Sequence, residues 1–526
     1  MKRSLKTVAV ITGAVLLLSG CVASPDPVVP VHPEDQTLHV LAGSEVKDMQ
    51  PVLEALTAET GIWLDIDYIG TLDGTELVAS GKADGVYDAT WFPSNRYLSL
   101  LEGGNGKIAE ANKIMYSPVV LGVKPDVASE FGWDVAAPTW GEIVDTVAAG
   151  KFQYGMTSPV SSNSGFSALI EATTALSGTG DALTVETIDS VADTLTTLFE
   201  GQNMVSGSSG WLAEKFTENP DLTDGIFNYE SVLRSMTVNG EPLDIIIPSD
   251  GVITADYPLT LLTSTTEQKE ALYDEAVQWL MSDVAQETIA DTTLRNTTSN
   301  PVDSTTVFEL PFPNQLESVQ ELISVYLAEI KKPSDMVFTI DTSGSMDGSR
   351  LESLKEALRT MTTGDENSFV SFQNREQVTF VEFASDIKAE PSFSFTTQNM
   401  DSELNSVNQY INQLSAEGGT AMYSALKEAY LKALQYKKAN PDHFISVVLF
   451  SDGITQEGLT YTDFMDWYEQ QKNNDSGIQT IPAFVIQFGE VNTNEVQSIA
   501  NVTGGKLFNA DDLGLSGAFK EIRGYQ

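Results

Sequence analysis

The chain has 526 residues, 41% of them hydrophobic and 20% charged, which is the composition of folded globular domains rather than of a disordered chain. One hydrophobic core cannot organise that length, so about two to four domains are expected. Acids outnumber bases 74 to 29, for a net charge of −45, and they are scattered singly as on a solvated surface. A field of that sign repels nucleic acid and attracts cations, so no nucleic acid is expected as a partner.

Lys2, Arg3 and Lys6 precede "VAVITGAVLLL" (residues 8–18), an apolar run of signal-peptide length and short for a bilayer span. It leads into "LSGC", where Cys21 is the only cysteine, so a disulfide within the chain is excluded. This stretch resembles the bacterial lipobox, whose cysteine is lipidated and becomes the first residue of the mature protein. The resemblance implies a lipoprotein signal peptide over 1–20 and a lipid on Cys21. It also implies an extracytoplasmic protein held at the bacterial cell membrane by that lipid alone. Residues 21–36, with "SPDPVVPVHPEDQ", are proline-rich without an apolar period and read as an extended tether.

Residues 37–312 form the first folded region. "TLHVLAG" is a strand; Val46, Met49, Val52, Leu53 and Leu56 follow at helical spacing and stop near Gly61; "IWLDIDYIG" is a second strand. Strand, helix and strand of these lengths make a βαβ unit. Further on, "YSPVVLGVKPDV" and "FQYGMTSP" read as strands flanking the short helix "TWGEIVDTVAAG". "SSNSGFSALIEATTAL" opens a long helix with hydroxyls at its start. "PLDIIIPSDGVITADYPLTLL" offers two strands, and "EQKEALYDEAVQWLMSDVAQETIA" reads as one helix.

In this order the segments resemble the bacterial extracellular solute-binding proteins, which have two α/β lobes and hold a ligand between them. The resemblance places ligand contacts at Ser44 and Thr71 after the first two strands, and at Ser161, Ser162 and Ser164 where the long helix begins. Tyr257, in the returning strand, completes the set. A helix N-terminus with free N–H groups favours an anion or a carboxylate. Each serine could equally be an N-cap worth about 1 kcal/mol of helix stability. No arginine falls in these loops (Arg96 and Arg234 lie elsewhere), so recognition of a strongly charged oxyanion is not evident, and the solute stays open.

Residues 313–332 read as a connector with a helix, "LESVQELISVYLAEIKK", and residues 333–526 as a second α/β series. "FISVVLFSDG" and "TIPAFVIQFG" are apolar throughout, as strands buried inside a parallel sheet are. Strands alternating with helices imply a doubly wound, Rossmann-like sheet, whose ligands bind outside the carboxyl ends of the strands. Three loops meet that edge: "DTSGS" from Asp341, "EGGT" ending at Thr420, and "SDG" with Asp452. None contains Lys, Arg or His to neutralise the acids, whereas a divalent cation would. Carboxylate and hydroxyl oxygens suit a hard ion, Mg²⁺ first and then Ca²⁺ or Mn²⁺. The region resembles the von Willebrand factor A domain. Its metal-ion-dependent adhesion site is matched by Asp341, Ser343, Ser345, Thr420 and Asp452. That resemblance implies that the metal's open position takes an acidic side chain from a partner protein.

The chain is therefore expected to be α/β throughout, a two-lobed periplasmic-binding-protein-like region followed by the A domain. It is expected to bind rather than catalyse, since His32 lies in the tether and His39 and His443 lie on strand segments, none beside the metal motifs. The alternative is the solute-binding component of an ABC-type transporter, serving a permease, with a regulatory A domain. Cys21→Ser should abolish labelling by a fatty-acid analogue and leave the precursor uncleaved; a mutant that still incorporates label would refute the anchor.

Overall fold

The computed structural model describes residues 32–298, 307–362, 371–451, 455–487, 493–509, 515, 518–519 and 522–523. Cys21, Asp452, the leader and the tether up to residue 31 lie outside the described residues. Among the described residues no helix is long and apolar enough to cross a membrane.

The first region is built on two large sheets, with a two-stranded ribbon of Thr237–Val238 and Glu241–Pro242 beside them. In the first, the strand Thr37–Gly43 runs parallel to Trp63–Ile69 on one side and to Ala89–Trp91 on the other. The helix Gln50–Thr60 joins the first two strands, burying Val52, Leu53 and Leu56. It stops at Gly61, whose φ of 77° is the left-handed conformation that ends a helix at little cost only for glycine. The strand Pro258–Leu262 returns much later to pair antiparallel with both Ala89–Trp91 and Ile108–Lys113. Between those visits the chain builds the second sheet around the fully buried strand Ser117–Val123 and the strands Tyr154–Thr157, Gln202–Ser206 and Gly225–Tyr229. The chain therefore passes more than once between two lobes, and one apolar cluster runs through both, including Val40, Leu121 and Tyr257.

The stretch 267–290 is two helices, not the single one expected. Glu267–Leu280 ends before Ser282, which is extended (ψ 151°) and accepts a hydrogen bond from the Ala285 N–H, capping Asp283–Thr293. The apolar period runs across the break, and only the serine's capping chemistry marks it.

The connecting helix Leu316–Val325 and the turn Tyr326–Ile330 do not stand free. Val319, Leu322, Val325 and Ile330 are buried in the first region's core, and Tyr326 meets Phe199 edge-on at 5.2 Å. The end of the tether docks as well, His32 stacking on Trp63 at 4.1 Å.

The second region is one sheet flanked on both faces. Ser334–Asp341 is parallel to Glu376–Phe383 on one side and to Phe444–Ser451 on the other. Ala483–Gln487 and Leu507–Asn509 extend that second side in parallel. Alternation along the central strand sends Met336, Phe338 and Ile340 to one face, with Leu354 and Val407 from the helices Ser349–Thr360 and Met400–Gln413. Val337 goes to the other, against Leu426 of the helix Met422–Ala439 and Phe464 of Tyr461–Asn474. The strand order reverses between Ser334–Asp341 and Phe444–Ser451, so the ligand-binding crevice of a doubly wound sheet falls at the end occupied by Asp341.

At the opposite end of that sheet, Lys331 Nζ lies 3.0 Å from Glu376 Oε1, and Arg523 Nη2 lies 2.9 Å from both Glu376 oxygens. All three side chains are buried. Burial would raise the Glu376 pKa, but Arg523 and Lys331 outweigh it and hold the carboxyl below its usual 4.5. A lowered folded pKa stabilises above the unfolded value and is lost as pH falls through the folded one. Glu376→Gln, which leaves two cations buried against a neutral group, should cost about 3–5 kcal/mol. In denaturant titrations of the second region it should also flatten the loss of stability on acidification below about pH 4.5. A variant as stable as the parent at pH 7 would contradict this.

Candidate metal centre and inter-lobe cleft

Asp341 ends the central strand with no exposure to solvent. Its Oδ1 accepts the Ser343 N–H at 2.9 Å, which curls the chain into a short 3₁₀ turn, Gly344–Met346. The Ser343 and Ser345 hydroxyls are 3.1 Å apart. A second loop is zipped onto this one: the Glu417 N–H donates to the Thr342 carbonyl at 2.9 Å, and the Gly344 N–H to the Gly418 carbonyl at 2.9 Å. Gly418 takes a φ of 82°, and a Cβ on Gly344 would stand 3.2 Å from the Gly418 carbonyl oxygen, so glycine permits the close approach. Thr420, buried on that second loop, accepts the Gln456 N–H at 2.9 Å through its carbonyl, tying in the chain beyond the strand Phe444–Ser451.

Asp341, Ser343, Ser345 and Thr420 thus sit on two adjoining loops stitched by backbone hydrogen bonds. Asp452, the remaining predicted ligand, lies outside the described residues. Among the described residues no three His, Cys, Asp or Glu side chains gather as a metal cluster. The donor set is one buried carboxylate and three hydroxyls, which fits a hard cation and no soft one. The sequence of the region matches the von Willebrand factor type A domain family over residues 335–522. Residues 335–522 are a von Willebrand factor type A domain.

A second site lies in the first region. A cavity of about 340 Å³ opens between the lobes, with Ser44, Glu45, Lys47, Tyr68, Gly70 and Thr71 on one side. Ser161, Ser162, Gly207 and Ser208 form the other side, and residues 506–509 of the A domain form a third. The lobes are closed on it: Ser209 Oγ donates across to Glu45 Oε1 at 3.1 Å. A Cβ on Gly70 would stand 2.9 Å from the Ser161 carbonyl. Burial raises the Glu45 carboxyl pKa, only partly opposed by hydrogen bonds, and its Oε2 has no hydrogen-bond partner. The Ser161 hydroxyl also has none, although the residue is only 8% exposed.

Of the expected solute contacts, Ser44, Thr71, Ser161 and Ser162 line this cavity, whereas Ser164 and Tyr257 do not. Ser164 stands behind the wall, its hydroxyl 2.8 Å from Thr157 Oγ1 and 3.2 Å from that of Ser162. Ser162 precedes the helix Asn163–Ser177 without making a side-chain cap bond. Tyr257 is a packed junction residue. Its φ is 37°, strained for a side chain of its size, and its ring lies under the buried Arg295 guanidinium at 4.8 Å. Arg295 is itself held by Asp48 Oδ2 at 2.7 Å and the Glu45 carbonyl at 2.9 Å.

Sequence reasoning did not single out Glu45, Lys47, Tyr68, Ser208 or Lys506. Ser208 had a legible signal, as the serine opening "SGWLAEKFTE": its side chain accepts the Trp211 N–H as an N-cap. Lys506 had none, because its place depends on how the two regions dock.

No curated protein matches the sequence. Solved structures similar to the first region include the periplasmic binding protein AfuA from Actinobacillus pleuropneumoniae, with exogenous fructose-6-phosphate bound. Its TM-score is 0.44 at 14% identity, covering 56% of this chain and 98% of that one. A periplasmic thiamin binding protein gives 0.43 at 11%, covering 55% and 96%. Iron-bound HitA from Pseudomonas aeruginosa gives 0.42 at 16%, covering 55% and 97%.

Proposed function

We propose that this chain is a non-catalytic, extracytoplasmic binding protein, anchored to the bacterial cell membrane through a lipid on Cys21. Its A domain holds one Mg²⁺-class ion at Asp341, Ser343, Ser345, Thr420 and Asp452, with Ca²⁺ or Mn²⁺ as substitutes. Its lobes take a small solute between them. The observation that carries the metal reading is the fully buried Asp341 on the same turn as the paired Ser343 and Ser345 hydroxyls, at the crevice of the sheet. A carboxylate and several hydroxyls carried on adjoining loops suit a hard cation, the hydroxyls supplying neutral oxygens around it.

When bound, the ion supplies an electrophilic point for a carboxylate of a partner protein. The chain's own residues do the rest. The Ser343 N–H fixes the Asp341 carboxylate, and the paired backbone bonds at Thr342 and Gly344 hold the serine and threonine loops in register. Two carboxylates neutralise a dication formally, yet three neutral hydroxyls leave it attractive to a third. The net charge of −45 opposes acidic partners at long range, so capture rests on that one contact and on fit.

The alternative, a transporter's solute-binding component with a regulatory A domain, draws support from one observation: the A domain lines the solute cavity. Calorimetry on the full chain should find a single Mg²⁺ site, lost in Asp341→Ala and weakened in Ser343→Ala and Thr420→Ala. Capture of an acidic partner should need that ion and fail in chelator. Unchanged Mg²⁺ binding by Asp341→Ala would refute the site, and partner capture by that variant in chelator would refute metal-mediated adhesion.

A further inference from the structure

We propose that the inter-lobe cavity is a site for a small oxyanion, and that the A domain supplies its third wall, with Lys506 as the charge that completes it. This rests on the reading that the lobes bind a solute and goes on to name its chemistry and its unexpected partner wall.

Three helices begin at the cavity. Thr71–Ala79 starts after Gly70, Asn163–Ser177 after Ser162 and Ser209–Glu218 after Ser208, and all three preceding residues line the space. Gly70 and Ser162 provide no side-chain cap, so the positive ends of two helices reach the cavity without one. Helix ends alone would not make a site. Here the Ser161 hydroxyl, on the same wall, is buried without a hydrogen-bond partner, as is Glu45 Oε2 opposite it. A ligand bearing several acceptor oxygens would engage the hydroxyl and the helix N–H groups together. Glu45 lines the same cavity, and burial raises its carboxyl pKa against the lowering pull of the Ser209 hydrogen bond and Arg295.

Two ammonium groups border the same space. Lys47 Nζ lies 5.0 Å above the Tyr68 ring and Lys506 Nζ 5.3 Å above the Phe508 ring, and all four residues line the cavity. In a chain of net charge −45, lysines on both sides of one cavity set a local field opposite to that of the whole. A volume of about 340 Å³ is at the small end of ligand pockets, which suits a phosphomonoester or a short carboxylic acid and no peptide. The third wall is anchored in the A domain itself. Phe508 is buried in that domain's core beside Phe484, and Leu507 pairs with Val485 in the sheet. An anion touching Lys506 therefore touches the edge of the sheet that carries the metal motifs.

Calorimetry with the full chain at low ionic strength, using inorganic phosphate, glycerol 3-phosphate, succinate and uncharged glucose as separate probes, tests this. At least one oxyanion should bind and glucose should not; the three anions distinguish free phosphate, phosphomonoester and carboxylate. Lys506→Glu should weaken that anion at least tenfold and Lys506→Gln less, while Lys472→Glu, away from the cavity, changes nothing. Binding abolished by Ser162→Asp but untouched by Lys506→Glu would overturn the third wall and leave the cleft intact. Binding of glucose without any oxyanion would overturn the anion chemistry alone. Silence from all four probes would overturn the oxyanion site whatever becomes of the metal centre.

Discussion

The join between the two regions rests on a carboxylate buried between two cations. Glu376 begins the strand beside the central one, Lys331 ends the connector and Arg523 comes from the end of the chain. Taking three charges out of water is expensive, and the arrangement persists only when geometry lets each charge compensate the others. That demand fixes where the connector meets the sheet. Lys332, the next residue, donates to the Gln202 carbonyl of the second lobe at 2.6 Å, and Arg375 donates to the Glu329 carbonyl. Trp211 of the helix Ser209–Glu218 packs against the A domain's own core. With the connector buried in one region and bolted to the other, the A domain has little freedom to swing.

The edge strand Leu507–Asn509 reaches the solute cavity because of that fixed docking, and the metal motifs gather at the carboxyl ends of the same sheet. The two sites thus share one rigid layer. A packed sheet transmits displacement because its interior has few voids to absorb it. If the strand shifts when the cavity fills, solute and metal-borne partner become linked, and the linkage must be reciprocal in free energy. A binding module and a solute receptor then cease to be rival descriptions of the chain.

Much of this was legible in the sequence, for identifiable reasons. The proposed metal residues could be picked out because Asp341, Ser343, Ser345 and Thr420 stand at strand and helix ends, where the doubly wound pattern already places a crevice. Strands such as Phe444–Ser451 were readable from unbroken apolar runs. The break at Ser282 was not, because the apolar period continues through it and only a single capping side chain interrupts the helix. Ser164 was expected in the cavity because it follows Ser161 and Ser162, and Tyr257 because of its place in the returning strand. Local sequence could not show that Ser164 turns back to Thr157, or that Arg295 covers the Tyr257 ring. Glu45, Lys47 and Lys506 belong to no motif, and their places around the cavity arise from how the lobes and the A domain pack together.

The claim that the lobes and the A domain share one binding cavity is most directly tested by hydrogen–deuterium exchange on the full chain, with and without saturating oxyanion. The account predicts slower exchange together at residues 161–163, 208–210 and 507–509. Protection confined to the lobes, with 507–509 exchanging at an unchanged rate, would contradict it.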